Sequence, residues 1–231
     1  MKSIIKVNTI FFDLDHTLWD FEKNSSITFK CIFNNRNFPF SHSEFLKHYI
    51  PINFKYWDYY SKNKISAEHL RTIRLQETFK VLKYNHTSMF IDEISNEYIK
   101  TLPKQTFLFE GVIDMLQKLK LKYNLHIITN GFEEVQYSKL KNSKILPYFD
   151  KIISPETALA KKPDIKIFNY ALSLVKKHPK NCLMIGDNLY ADIMGAINVG
   201  MNAIHFNSTN EPKHEKCTIV NSINELYKLL N

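Results

Sequence analysis

The chain has 231 residues, 44% hydrophobic and 23% charged, so it can bury a full core as one large or two small domains. No apolar run approaches the about 18 residues of a membrane-spanning helix, so we expect no membrane partner. The formal net charge of +8 comes from lysines spread along the chain rather than from one basic block, which indicates solvated surfaces and argues against nucleic-acid binding.

The chain begins with MKSIIKVNTIFF, which superficially resembles a signal peptide. Lys6 interrupts the apolar stretch, Asp13 and Asp15 follow at once, and a small-residue cleavage site is missing, so we expect a first strand instead. Three cysteines without CxxC spacing argue against a zinc site and against a disulfide framework. This cysteine usage fits the reducing cytoplasm, where we expect the protein to act.

Residues 21–101 have a helical pattern without a convincing strand. Ser41 and Glu44 have the spacing of a capping box at the start of one helix. Ser66 is expected to cap a long helix in which apolar residues recur at helical spacing. Another helix is predicted over 88–100. The whole segment is therefore expected to be helical.

After Pro103, short apolar runs alternate with helical patterns of about ten residues. Further strands are predicted at 125–129, 151–154, 182–187 and 202–206. Helices are predicted at 112–119, 133–140, 165–177, 190–199 and 221–230. The alternation is typical of an α/β fold, a doubly wound, Rossmann-like parallel sheet with right-handed crossovers. Because the first strand joins this sheet, we expect an α/β core of residues 1–18 plus 103–231 and an inserted all-α domain of residues 19–102.

Ligands of open α/β sheets bind beyond the carboxyl ends of the strands. At these ends the sequence places Asp13 and Asp15; Thr129, Asn130 and Gly131; Lys161 and Lys162; and Asp187 and Asn188, with Asp192 further on. Paired carboxylates repel each other and cost free energy to desolvate, so positive charge should face them. Mg²⁺, which prefers oxygen ligands, together with a lysine would supply that charge. A phosphoryl group could bridge them, and an aspartate is a competent nucleophile toward phosphorus.

These residues stand in the order of the four motifs of the haloacid dehalogenase (HAD) superfamily of phosphatases, which the chain resembles. Motif one, DxDxT, is DLDHT here; motif two is Thr129 in IITNG; motif three is Lys162 in KKPD; motif four is GDNLYAD. The helical insertion matches the cap domain of that family in position and type. The runs IITNGF, KKPD-x-x-IF and GDN-x-x-x-D-x-x-GA further resemble the subgroup that removes phosphate from pyrimidine nucleotides.

The resemblance implies a role for each matched residue. Asp13 would attack phosphorus and bind Mg²⁺. Asp15 would protonate the leaving oxygen and later deprotonate the hydrolytic water, while its backbone carbonyl binds the metal. Thr129 and Lys162 would hold phosphoryl oxygens, and Lys162 would also neutralise Asp13. Asp187 would be the third protein ligand of the metal.

Other residues near the motifs have less definite expectations. Asn130 is grouped with the phosphate-binding residues. Asp192 would be an outer metal ligand or an orienting group, and Asn188 would either support the metal or form a turn. His16 stands where many family members have glycine, so the resemblance does not determine the backbone conformation of this turn.

Substrate contacts beyond the motif-one loop are expected from Trp19, Asp20 and Phe21. Most aromatic residues of the helical block are expected to pack its interior instead. Arg71 and Arg74 could reach an anionic substrate, although exposed arginines usually need no such role.

The sequence thus predicts a HAD-type phosphatase, a Mg²⁺-dependent phosphomonoesterase acting through an aspartyl-phosphate on small phosphorylated molecules, with pyrimidine nucleoside 5'-monophosphates as the expected substrates. No obligate protein partner is implied. Alternatives remain open: a phosphatase or mutase acting on sugar phosphates, a 2-haloacid dehalogenase, or a phospho-aspartate signalling module. The exact substrate, the physiological role and the oligomeric state do not follow from the sequence.

Overall fold

The computed structural model describes residues 7–231 of the chain. The first six residues, on which part of the expectation about the N-terminal segment rests, lie outside the described residues. A parallel six-stranded sheet with the order β3-β2-β1-β4-β5-β6 forms the centre of the α/β part. Its strands are β1 (Thr9–Phe12), β2 (Asn124–Ile128), β3 (Lys151–Ile153), β4 (Cys182–Gly186), β5 (Asn202–Phe206) and β6 (Thr218–Val220). The predicted α/β class with a doubly wound parallel sheet is confirmed.

Strand β1 lies between β2 and β4, and its register decides where the strand ends meet. Phe12 is in register with Ile127 of β2 and with Ile185 of β4. All four residues of β1 are buried, because a central parallel strand is covered on both faces. The residues that follow β1, β2 and β4 therefore come to one edge of the sheet.

Ten α-helices accompany the sheet in the part of the chain that the structure describes. The first four are α1 (Phe21–Asn34), α2 (His42–Ser61), α3 (Ala67–Val81) and α4 (Ser88–Thr101). The others are α5 (Val112–Leu119), α6 (Glu133–Asn142), α7 (Pro155–Ala158), α8 (Ile165–Val175), α9 (Gly195–Asn198) and α10 (Ile223–Leu230). Ser41 and Ser66 cap α2 and α3 as expected, since their side chains accept hydrogen bonds from the Glu44 and His69 amides.

Three elements differ from the sequence-based expectation. The helix expected over 190–199 is a π-helical turn, Leu189–Met194, that runs into α9. The Asn188 side chain caps this turn by accepting from the backbone amides of Tyr190 and Ala191, so Asn188 forms the turn. Strand β6 and the four-residue helix α7 were not predicted from the sequence.

The chain divides into two compact units. One comprises the described chain up to Phe21 together with Thr106–Asn231, and the other is Glu22–Gln105. Both divisions fall three residues beyond the boundaries that the sequence suggested. Among the described residues, no helix is long and apolar enough to cross a membrane.

Aromatic side chains fill the interior of the helical unit Glu22–Gln105. The Phe29 ring centroid lies 4.6 Å from that of Tyr49 and 4.6 Å from that of Tyr98. Arg74, expected to be exposed, is buried in this interior, where its guanidinium donates to Asn53 Oδ1 at 2.6 Å and to the Leu70 carbonyl at 2.8 Å. These bonds give the buried guanidinium two hydrogen-bond partners within the unit.

Candidate active site

Backbone hydrogen bonds fix the two motif residues that follow β1 and β2. The Asp13 amide donates to the Ile185 carbonyl at 2.9 Å, and the Thr129 amide donates to the Ile153 carbonyl at 2.9 Å. Each bond continues the sheet by one residue beyond a strand. The side chains of Asp13 and Thr129 are therefore held at the carboxyl edge by the sheet itself.

Lys162 is the positive group of this edge. Its Nζ lies 2.5 Å from Asp13 Oδ1 and 2.7 Å from Asp192 Oδ1, and it donates to the Ile128 carbonyl at 2.7 Å. The side chain is 1% exposed, so the ammonium is satisfied by protein groups. These neighbours raise the Lys162 pKa despite its burial, and it remains charged at neutral pH.

The Asn130 side chain contacts the backbone of Lys162, and its expected role in phosphate binding stays a prediction. Its Nδ2 donates to the Lys162 carbonyl at 2.9 Å, and its Oδ1 accepts from the Lys162 amide at 2.8 Å. Both ends of the carboxamide are thus engaged by the backbone of Lys162. Asn130 fixes the lysine backbone, whereas its neighbour Thr129 accepts a hydrogen bond from the Gly131 amide at 3.0 Å.

Three carboxylates converge beside Lys162. Asp13, Asp187 and Asp192 each offer an oxygen, and these oxygens lie within 4.8 Å of one another. Burial, reinforced by the neighbouring carboxylates, raises the Asp13 pKa to about 7 and raises that of Asp187 well above its ordinary value. If all three acids ionised, one lysine would leave part of their negative charge uncompensated. Such an oxygen-only donor set fits a hard divalent cation such as Mg²⁺.

The cluster differs in one member from the metal ligands suggested by the sequence. Asp192, expected as an outer ligand, brings its carboxylate into the cluster with Asp13 and Asp187. A Cβ on Gly186 would collide with the Asp192 side chain, so the glycine leaves room for that close approach. Asp15 directs its carboxylate elsewhere, and the metal-binding role of its carbonyl remains a prediction.

Asp187 is supported by residues that the sequence did not single out. Thr17 Oγ1 donates to Asp187 Oδ1 at 3.3 Å. His205 Nε2 donates to the Asp187 carbonyl at 2.7 Å, which leaves His205 Nδ1 to accept from His214 Nε2 at 2.9 Å. The only available signal was a histidine inside the apolar strand NAIHF.

Asp15 lies in a separate ion pair with α6. Lys139 Nζ lies 2.6 Å from Asp15 Oδ1 and 2.9 Å from Oδ2, and Gln136 Nε2 donates to Oδ2 at 2.8 Å. The Lys139 ammonium also lies 4.3 Å from the centre of the Trp19 ring and 5.3 Å from that of Phe21. Neither α6 residue was predicted. The sequence signal that could have found them is the spacing of three residues between Gln136 and Lys139, which places both side chains on one face of the helix after motif two.

The motif-one turn explains the unusual histidine. His16 has φ of 61°, in the left-handed region where glycine is favoured. Its ring packs 5.0 Å from that of Phe21, and its carbonyl accepts from Ser208 Oγ at 2.5 Å. Burial lowers the His16 pKa to about 4, so the imidazole is neutral at neutral pH. The turn thus accommodates histidine by packing and a backbone hydrogen bond.

The candidates for substrate contact have different surroundings. Trp19 is fully buried, and its indole donates to Ser143 Oγ at 3.2 Å. The Asp20 amide donates to the Phe107 carbonyl at 3.1 Å, and its side chain is half-buried. Phe21 begins α1 and is buried. Substrate contact by Trp19, Asp20 and Phe21 therefore stays a prediction.

The order of the site residues along the chain is that of one class of α/β hydrolases. The model of the haloacid dehalogenase-like hydrolase family matches residues 10–206. The chain belongs to this family, which confirms the resemblance carried by its four motifs, and it is an enzyme.

Three relatives illustrate the likeness. The HAD-hydrolase YfnB of Bacillus subtilis has a crystal structure bound to magnesium that matches with a TM-score of 0.88 and 25% identity, covering 97% of this chain and 99% of that one. The pyrimidine 5'-nucleotidase PynA of Streptococcus pneumoniae is 28% identical over 89% of this chain and 86% of its own length. The pyrimidine 5'-nucleotidase YjjG of Escherichia coli is 26% identical over 98% and 99%, respectively.

Proposed function

We propose that the protein is a Mg²⁺-dependent phosphatase that hydrolyses small phosphomonoesters through an aspartyl-phosphate on Asp13, with pyrimidine nucleoside 5'-monophosphates as substrates. The observation that carries the proposal is the convergence of Asp13, Asp187 and Asp192 around a single buried lysine. Such a site is electrostatically incomplete, and a divalent cation would complete it.

Asp13 is suited to the nucleophilic step. An Asp13 oxygen would bond to phosphorus while the bond from phosphorus to the ester oxygen breaks. Asp15, protonated when the substrate binds, would give its proton to the departing oxygen. As the carboxylate it would then take a proton from the water whose oxygen bonds to phosphorus while the bond from phosphorus to Asp13 breaks. Bound Mg²⁺ would neutralise the cluster and keep Asp13 ionised at neutral pH. Lys162 and Thr129 lie at the same strand ends and would hold phosphoryl oxygens.

The proposed substrate class is supported by sequence similarity to characterised relatives and not by the geometry of the site. PynA and YjjG, which align with most of this chain, are pyrimidine 5'-nucleotidases. We propose the same preference here, and we propose that the helical unit Glu22–Gln105 is the cap domain. The three cysteines are free thiols, which supports a cytoplasmic enzyme. No nucleic-acid, membrane or obligate protein partner is part of the proposal.

The test is phosphate release from a panel of monophosphates, with Mg²⁺ or with EDTA. The panel contains uridine, thymidine, cytidine and purine monophosphates together with sugar phosphates. We expect metal-dependent release that favours the pyrimidine nucleotides and is abolished in Asp13→Asn. The exposed Asp92 provides the matched control, because Asp92→Asn removes a carboxylate on α4.

The outcomes separate the parts of the proposal. Release from sugar phosphates alone would keep the mechanism and overturn the nucleotidase assignment. Full activity in Asp13→Asn would overturn the covalent mechanism. Undiminished release in EDTA would overturn the metal dependence.

A further inference from the structure

The Asp15 carboxylate is held at both oxygens by α6. Oδ1 accepts from Lys139 Nζ at 2.6 Å, and Oδ2 accepts from Lys139 Nζ at 2.9 Å and from Gln136 Nε2 at 2.8 Å. Donors on both oxygens oppose rotation of the carboxylate plane, so the direction in which Asp15 can give or take a proton is fixed by two side chains.

Gln136 and Lys139 share one face of α6 because they are three residues apart. The helix begins at Glu133, directly after the loop that carries Thr129 and Gly131. One rigid element therefore links the position of Asp15 to the motif-two loop. We infer that Lys139 and Gln136 are positioning residues that orient Asp15 for proton transfer to the leaving group; the inference rests on the phosphatase function proposed above.

The buried side chains of Lys139 and Gln136 contribute hydrogen bonds to the Asp15 carboxylate more than they contribute apolar packing. Lys139 and Gln136 are each 1% exposed. Within the described residues, Gln136 Oε1 is buried and has no hydrogen-bond partner. An apolar residue would avoid the cost of an unpartnered carbonyl and of a desolvated ammonium. What the two polar side chains provide in return is their hydrogen-bond donors, Lys139 Nζ and Gln136 Nε2, which are directed at Asp15.

Gly131 adds an independent observation. A Cβ built at this position would collide with the end of the Gln136 side chain. The motif-two loop therefore keeps free the space that the Gln136 carboxamide occupies on its way to Asp15. The Gln136 side chain passes through this space when it donates to Asp15, and a Gln136 side chain turned away from Asp15 would leave the space unused.

Orientation of the acid matters most when the leaving group is poor. A nucleoside 5'-oxygen departs as a strongly basic alkoxide unless it is protonated, whereas p-nitrophenolate departs readily without a proton. General acid catalysis contributes about 10²–10⁴-fold to such steps. Loss of positioning is therefore expected to reduce turnover of nucleotides selectively.

The experiment compares kcat/KM for UMP with kcat/KM for p-nitrophenyl phosphate in Lys139→Met, Lys139→Arg and Gln136→Leu, because kcat/KM contains the departure of the leaving group but not the later hydrolysis of the aspartyl-phosphate. We expect Lys139→Met to lower kcat/KM on UMP by about 10²-fold and to change kcat/KM on the aryl ester by only a few fold. Lys139→Arg should recover part of the UMP activity. Lys141→Met, an exposed lysine on the same helix, is the matched control and should leave both rates unchanged.

Stability and coupling distinguish positioning from a structural role. Gln136→Leu should lose UMP activity without losing resistance to urea, because the change also removes a buried unpartnered carbonyl. Adding Lys139→Met to Asp15→Asn should cause no further loss on UMP, since the oriented group is already gone.

Equal losses of kcat/KM on UMP and on the aryl ester would overturn the positioning role. A loss of UMP activity that parallels the loss of stability in urea across the variants would also overturn the positioning role. A wild-type protein that releases phosphate from no ester would instead refute the proposed function itself, so the two failures are distinguishable.

Discussion

Replacing Asp13 with asparagine is expected to stabilise the metal-free protein at pH 8. Burial raises the pKa of the Asp13 carboxyl from 3.8 to about 7, even though Lys162 opposes the shift. A carboxyl whose pKa rises on folding binds a proton more tightly in the folded state, so ionisation destabilises that state. The penalty is small near pH 4, grows as the pH rises, and is fully present above about pH 7.

The magnitude follows from the shift of the pKa. A difference of about three units corresponds to about 4 kcal/mol between the ionised and protonated forms. Asparagine mimics the neutral form, and its Oδ1 can still accept from Lys162, which also keeps its contact with Asp192. Because the pKa of about 7 already includes the opposing effect of Lys162, we expect the variant to gain up to about 4 kcal/mol at pH 8.

Urea unfolding in EDTA at several values between pH 5 and pH 8 measures this difference. The advantage of Asp13→Asn should appear as the pH rises and should shrink when Mg²⁺ is added, because a cation that binds the folded wild type stabilises it by mass action. Asp92→Asn, at an exposed position on α4, should show no such dependence. A variant that is less stable than the wild type at pH 8 in EDTA would refute the conclusion that the acidic cluster is under repulsion.

Three further changes test other parts of the structure. Burial lowers the His126 pKa to about 4, so the stability of the wild type relative to that of His126→Leu should fall by about 2 to 3 kcal/mol as the pH falls from 6.5 to 4, as urea unfolding of both proteins can measure. Gly131→Ala should lower kcat on UMP through displacement of Gln136, and combining it with Gln136→Leu should add little. Arg74→Met should destabilise the protein by about 1 to 3 kcal/mol in thermal or urea unfolding, because Asn53 Oδ1 loses its buried donor.

Each of these expectations has a result that contradicts it. Parallel acid unfolding of wild type and His126→Leu would mean that the imidazole is hydrated. Additive losses from Gly131→Ala and Gln136→Leu would mean that the two positions act separately. An Arg74→Met variant as stable as the wild type would mean that water or another group satisfies Asn53.

The sequence by itself determined the class of fold and the identity of the main chemical groups. Buried parallel strands are short apolar runs, and their carboxyl ends meet at one edge by a general rule of α/β topology. That rule was enough to bring Asp13, Thr129, Lys162 and Asp187 into one hypothesis, and the family motifs gave them their order. Local periodicity and capping residues likewise predicted most helices.

Only the tertiary structure decided how the side chains are used. Lys139 contacts Asp15 across 124 residues of sequence, and His205 supports Asp187 from the neighbouring strand. Such contacts depend on strand register, helix rotation and rotamer together, and none of these has a local signature. The contact of the Asn130 side chain with the backbone of Lys162 also depends on these features. Residue type and strand order can be read along the chain, whereas the partner of each side chain is set by packing in three dimensions.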